Sequence, residues 1–184
     1  MSDQGWEPSP NLIRRCLAEA FATFALVFAG CGAVVANEVY GGSLGTVGIG
    51  LVFGLVIMAM IYAIGHLSGA HINPAVTIAF SATRHFPARQ AASYIAAQLA
   101  GAALGGYVLL SLWPGKPAEL GATVPSVEPL QALTYETLMT ALLMFVIVSV
   151  ATDARAVGAA AAIAIGAVVA LDAVFGGPDS SMRR

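Results

Sequence analysis

Residues 65–84 read GHLSGAHINPAVTIAFSATR, and here an otherwise apolar chain stops being able to cross a bilayer in one pass. Asn73 followed directly by Pro74 has the grammar of a helix start. The Asn side chain can cap the first turn, and Pro at the first helical position lacks an N–H that would have no partner there anyway. The helix this predicts, residues 74–83, has ten residues, about 15 Å at 1.5 Å per residue and half of a ~30 Å hydrocarbon core. Irregular backbone ahead of it, over residues 66–72, is tolerated at membrane depth only where it is buried in protein or lines a watery cavity. The stretch therefore predicts a half-helix with a cavity beside it.

The rest of the composition agrees with a bilayer. Hydrophobic residues make up 58% of the 184 positions and charged residues 10%, against about 25% charged in soluble domains. Ala and Gly dominate, which lets helices approach closely, as membrane bundles prefer. No run of basic and aromatic residues suits nucleic-acid binding. Cys16 and Cys31 lie in or beside the first apolar segment, without the spacing of a zinc or redox motif, and read as packing residues. No cofactor or metal is expected.

Outward from the half-helix, five apolar runs are long enough to span: residues 17–36, 47–65, 91–112, 132–151 and 158–175. The first could instead be a secretory signal, with Ala29-Gly30-Cys31 resembling a lipoprotein cleavage box, but it exceeds the 7 to 15 apolar residues of a signal core. The third carries Gln98 and the small-residue series Gly101, Ala102, Ala103, Gly105, Gly106. Residues 113–131, with Pro114, Pro117, Pro125 and Pro129, predict an extended, non-helical loop. Arg14, Arg15, Arg84, Arg89 and Arg155 fall on one side of this arrangement and Lys116 alone on the other among the connecting loops. The positive-inside rule then places the N-terminus in the cytoplasm. The domain reading is a cytoplasmic tail over 1–16, a transmembrane domain over 17–178 and a short non-matching tail over 179–184.

The first and fourth runs share a pattern. Glu19, Thr23 and Phe28 recur as Glu136, Thr140 and Phe145, each 117 residues on. One run enters from the inside and the other from the outside, so the two halves would be inverted repeats, an arrangement that places a site near the bilayer midplane. A second half-helix would fall after the fifth run.

AEAFATFALVFAGCG in the first run, SGAHINPAVT after the second, YIAAQLAGA in the third, the Glu136 run and IAIGAVVALDAVFGGP in the fifth together resemble the major intrinsic proteins, the aquaporins and glycerol facilitators. The resemblance implies an all-α membrane protein, an inverted-repeat helical bundle with one re-entrant half-helix and five spans present. It leads us to expect a C-terminally truncated chain, in which the second half-helix and sixth span are missing. It also implies a homotetramer of one-pore subunits in the plasma (inner) membrane, passing water or small neutral solutes such as glycerol or metalloid acids. The alternative reading is a non-conducting truncated membrane protein, or an assembly partner of intact subunits. An intramembrane enzyme would need a convergent nucleophile or metal constellation, which the sequence lacks.

By the same resemblance Asn73 lines the pore, with Pro74 and Ala75 setting the start of the half-helix. Two half-helix N-termini, each with roughly +0.5 charge, would oppose cations at the midplane. Glu19 and Glu136 stand where the family places buried acids that brace unwound loops by accepting backbone N–H bonds. A proton relay is the sharper alternative, since intramembrane acids are costly and normally paired or functional. His66 and His71 read as loop-bracing or pore-lining, with too few partners for metal ligation. Phe53 and Ala167 match the outer constriction, where strict water channels carry His in place of Ala167. The smaller side chain should make that constriction wider and less polar.

Overall fold

The computed structural model describes residues 11–123, 127–152 and 158–176, and every regular element among them is helical. The helices are α1 (Leu12–Val39), α2 (Gly45–Ser68), α3 (Pro74–Ala82), α4 (Ala88–Leu112), α5 (Pro129–Thr152) and α6 (Gly158–Gly176). Four of them, α1, α2, α4 and α5, are long and apolar enough to cross a membrane, and α6 adds a shorter apolar stretch, Ala160–Gly176. Ile13, Phe21, Leu130 and Phe145 on their outer faces are exposed, as expected where lipid replaces water.

Capping explains where the helices depart from the apolar runs. α1 begins ahead of its run, at Leu12, because the Asn11 side chain accepts the Arg14 N–H at 2.9 Å. Arg14 and Arg15 are thereby drawn into the first turns. The extended loop expected over 113–131 needs correcting. α5 already starts at Pro129, where Pro serves a first helical turn. Pro117–Gly121 forms a short tight turn, with Lys116 and Ala118 to Leu120 all at positive φ.

The packing order runs α4 on α1, α1 on α2, α2 on α6 and α6 on α5. Pairings fix direction: Arg15 meets Gln90 and Glu19 meets Gln98, while Ala20, Phe24 and Gly32 face Gly101, Gly105 and Leu109. Both helices advance together, so α4 runs parallel to α1. Glycine is required at the closest approaches, because a methyl at Gly101 would collide with the Ala20 carbonyl and one at Gly54 with the Gly166 carbonyl.

Candidate functional site

α2 descends antiparallel to α1 and ends at Ser68, whose carbonyl accepts the Tyr94 hydroxyl at 2.8 Å. The chain then turns back into the bundle. Gly69, at φ 88°, forms the left-handed cap, its N–H bonding to Gly65 O at 2.9 Å. Ala70 (φ 48°) and Ile72 (φ 55°) are also left-handed, a conformation that costs a non-glycine residue on the order of 1–3 kcal/mol. Something must hold the loop in it.

Glu19 does. Its carboxylate is 0% exposed and accepts four hydrogen bonds. Ser68 Oγ–H (2.7 Å) and the His71 N–H (3.0 Å) reach Oε1, while the Ile72 N–H (2.7 Å) and Gln98 Nε2 (2.8 Å) reach Oε2. A buried carboxylate without donors would be prohibitive, and bonds to a charged acceptor are each worth roughly 1.5–3 kcal/mol. The acid and the strained loop therefore solve each other's problem: Glu19 gains donors and the loop gains an acceptor.

The loop ends deep inside. The Thr23 hydroxyl bonds to Glu19 O at 2.8 Å and approaches Ile72 O at 3.4 Å, so Asn73, the next residue, lies at the level of Thr23. From Leu12, where α1 starts, eleven steps of 1.5 Å reach Thr23, about 16 Å or half the hydrocarbon core. There α3 begins. Asn73 is its N-cap, the side-chain Oδ1 accepting the Ala75 N–H at 2.8 Å, with Pro74 in the first position. Asn73 and Ala75 are exposed and Pro74 is half-buried. The cap occupies Oδ1, and Nδ2 donates to no other described residue. A donor of this kind at a helix N-terminus can offer a hydrogen bond to a passing polar oxygen. α3 ends at Ala82, and Phe86 beyond it lies under the Arg15 guanidinium, back at the starting end of α1.

The other residues singled out by sequence are placed as follows. His71 Nδ1 lies 3.1 Å from Thr77 Oγ1, and its ring packs among Phe86, Phe80 and Tyr94 at centroid distances of 4.7, 5.1 and 5.3 Å. His66 is exposed on α2. Phe53 is half-buried, with its ring against Gly30 of α1, where a methyl would collide with it. Gly54 and Gly166 touch, which sets Phe53 and the exposed Ala167 at the same level of the α2–α6 seam. Glu136 is not brought to the Glu19 cluster. It is exposed on α5, lining an open groove of about 440 Å³ with Thr137, Thr140, Ala141 and Met144. Asp172 Oδ1 on α6 is buried and has no hydrogen-bond partner among the described residues.

Sequence reasoning missed the residues that complete the Glu19 cluster. Gln98 Nε2 also reaches Thr77 Oγ1 at 3.0 Å, and Ser68 Oγ accepts the Ala70 N–H at 3.0 Å. A fully buried amide in an apolar span was the available signal for Gln98, since such groups persist only when paired.

An all-helical bundle in which an acid-braced loop dips to mid-depth and returns as a half-helix is the architecture of a multi-pass membrane protein, with a candidate site where the interrupted helix begins. The chain belongs to the major intrinsic protein family, whose model matches residues 7–182. It is 45% identical to Aquaporin NIP1-1 of Oryza sativa subsp. japonica over 172 residues, covering 94% of this chain and 61% of that protein. It is 47% identical to Nodulin-26 of Glycine max over 170 residues, covering 92% of this chain and 63% of that protein. The chain thus spans about three fifths of the length of these relatives. Its fold matches the aquaglyceroporin from Plasmodium falciparum with a TM-score of 0.75 at 27% identity, covering 91% of this chain and 72% of that one.

Proposed function

We propose that the chain forms a channel for passive transmembrane passage of water and small uncharged solutes. The observation that supports this best is the half-helix α3, which starts about 16 Å inside the bundle with the exposed Asn73 at its tip. Its N-terminal dipole opposes cations, and the Asn73 amide replaces one of the hydrogen bonds a solute leaves behind in water. In this reading Asn73, Pro74 and Ala75 form the midplane of the path, His66 and His71 stand nearer its entrance, and Phe53 and Ala167 set its width. Glu19 braces the loop, and Glu136 holds the matching place in the second half. The small Ala167 side chain, together with the likeness to an aquaglyceroporin, favours solutes larger than water, such as glycerol.

The arginine-rich end, with the N-terminus, faces the cytoplasm of a plasma (inner) membrane, and four copies assemble with one path each. The test is stopped-flow light scattering on vesicles carrying the purified chain, with incorporation confirmed. We expect water and glycerol permeability above empty vesicles, a loss of both in Asn73→Asp, and a shift from glycerol toward water in Ala167→His. Fluxes equal to those of empty vesicles would defeat the proposal.

A further inference from the structure

A second cavity opens at the end of the bundle where α1 and α4 begin. It has a volume of about 320 Å³ and is lined by Arg15, Ser68, Gly69, His71, His85 and Phe86. Arg15 is held in place there. Its Nη1 donates to Gln90 Oε1 at 2.8 Å, and the guanidinium lies 5.6 Å from the Phe86 ring centroid and 5.3 Å from that of Tyr94. A stacked guanidinium with one nitrogen tied keeps its rotamer fixed and presents its other donors in a rigid fork, the arrangement that matches phosphate oxygens.

Among the described residues the surroundings carry an excess of positive charge. Arg14, Arg84 and Arg89 flank the cavity residues in sequence, all exposed. Glu19 is the one acid among the described residues at this end, and its single negative charge leaves Arg14, Arg15, Arg84 and Arg89 in excess. The positive field is therefore not cancelled by the described part of the fold. It would act on an anion arriving at the membrane surface, where the helices leave the hydrocarbon.

We propose that this cavity binds a phosphate group, carried by an anionic phospholipid headgroup or by free phosphate, with Arg15 as the principal donor and His85 at the rim. The cavity shares His71 with the entrance of the proposed path, and the assignment rests on Arg15, not on which solute passes. A phosphate seated there bridges α1, the end of α2 and the segment after α3, and so stabilises the end of the bundle that carries the re-entrant loop.

The experiment is thermal unfolding of the purified chain in detergent micelles at constant ionic strength, titrated with phosphatidylglycerol, phosphatidylcholine or inorganic phosphate. The expected result is a saturable rise in the unfolding temperature with phosphatidylglycerol and none with phosphatidylcholine. Arg15→Gln should weaken it on the order of tenfold in apparent affinity, whereas Arg14→Gln, which removes the same charge from an exposed position on the same helix and takes away only its screened share of the field, should weaken it by no more than about twofold. A saturable response to inorganic phosphate with the same Arg15 dependence would assign the site to the free anion. Should Arg15→Gln fail to fold, His85→Gln at its exposed loop position must weaken the response severalfold. Equal effects of the two lipids with no phosphate response, or equal losses in Arg14→Gln and Arg15→Gln, would overturn the proposal.

Discussion

Glu19 and Glu136 occupy equivalent places in a repeated Glu-x3-Thr-x4-Phe pattern, yet their surroundings differ completely. Glu19 is sealed off and bonded to four donors drawn from α2, the loop after it and α4. Glu136 stands exposed over a groove, with Thr137 bonded back to Leu133 O and Asp172 Oδ1 nearby on α6 without a partner among the described residues. Among the described residues, the same spacing gives a finished site where loop backbone comes to meet the acid. A carboxylate on an apolar helix prepares a place for a loop, and the loop's N–H groups turn that place into structure.

The comparison breaks most sharply at the acids themselves. Glu19→Ala removes the shared acceptor of four groups and leaves buried donors unpaired, so it should destabilise the chain by roughly 3–5 kcal/mol. Glu136→Ala, at an exposed position, should change stability by no more than about 0.5 kcal/mol. Unfolding midpoints of the two variants in mixed micelles check this, and equal losses would mean the halves are energetically alike. The threonines sharpen the same contrast on a smaller scale. Thr23 is 5% exposed and its hydroxyl serves the Glu19 and Ile72 carbonyls. Thr23→Val should therefore cost about 1 kcal/mol, while Thr140→Val, on the open groove, should be neutral in the same assay.

How far the sequence reveals this molecule depends on how local each signal is. Asn73-Pro74 announced α3 because capping is settled within four residues, and the Asn73 side chain does cap it through Ala75. The apolar runs likewise identified α1, α2, α4 and α5, whereas the fifth run, expected to span, forms α6 with a shorter apolar stretch, Ala160–Gly176. The turn after α4 was hidden, since Ala118, Glu119 and Leu120 are residues that seldom take positive φ and carry no turn signature. Gln98 was noticed only as a polar residue in an apolar run, because its partners, Glu19 and Thr77, are 79 and 21 residues away. The contact of Phe53 with Gly30 was hidden for a similar reason: a glycine's meaning depends on what packs against it, and here that is a ring from another helix.

Glu19 holds a strained loop at mid-depth and thereby fixes where α3 begins. Hydrogen exchange of the amides of His71 and Ile72, which donate to Glu19 at 3.0 and 2.7 Å, tests it most directly. In the unaltered chain and in Glu136→Ala both amides should be protected. In Glu19→Gln, which loses the charge and one acceptor oxygen, their exchange should accelerate tenfold or more, ahead of any change in α1 or α4. Exchange at these two amides that is as slow in Glu19→Gln as in the unaltered chain would contradict the account.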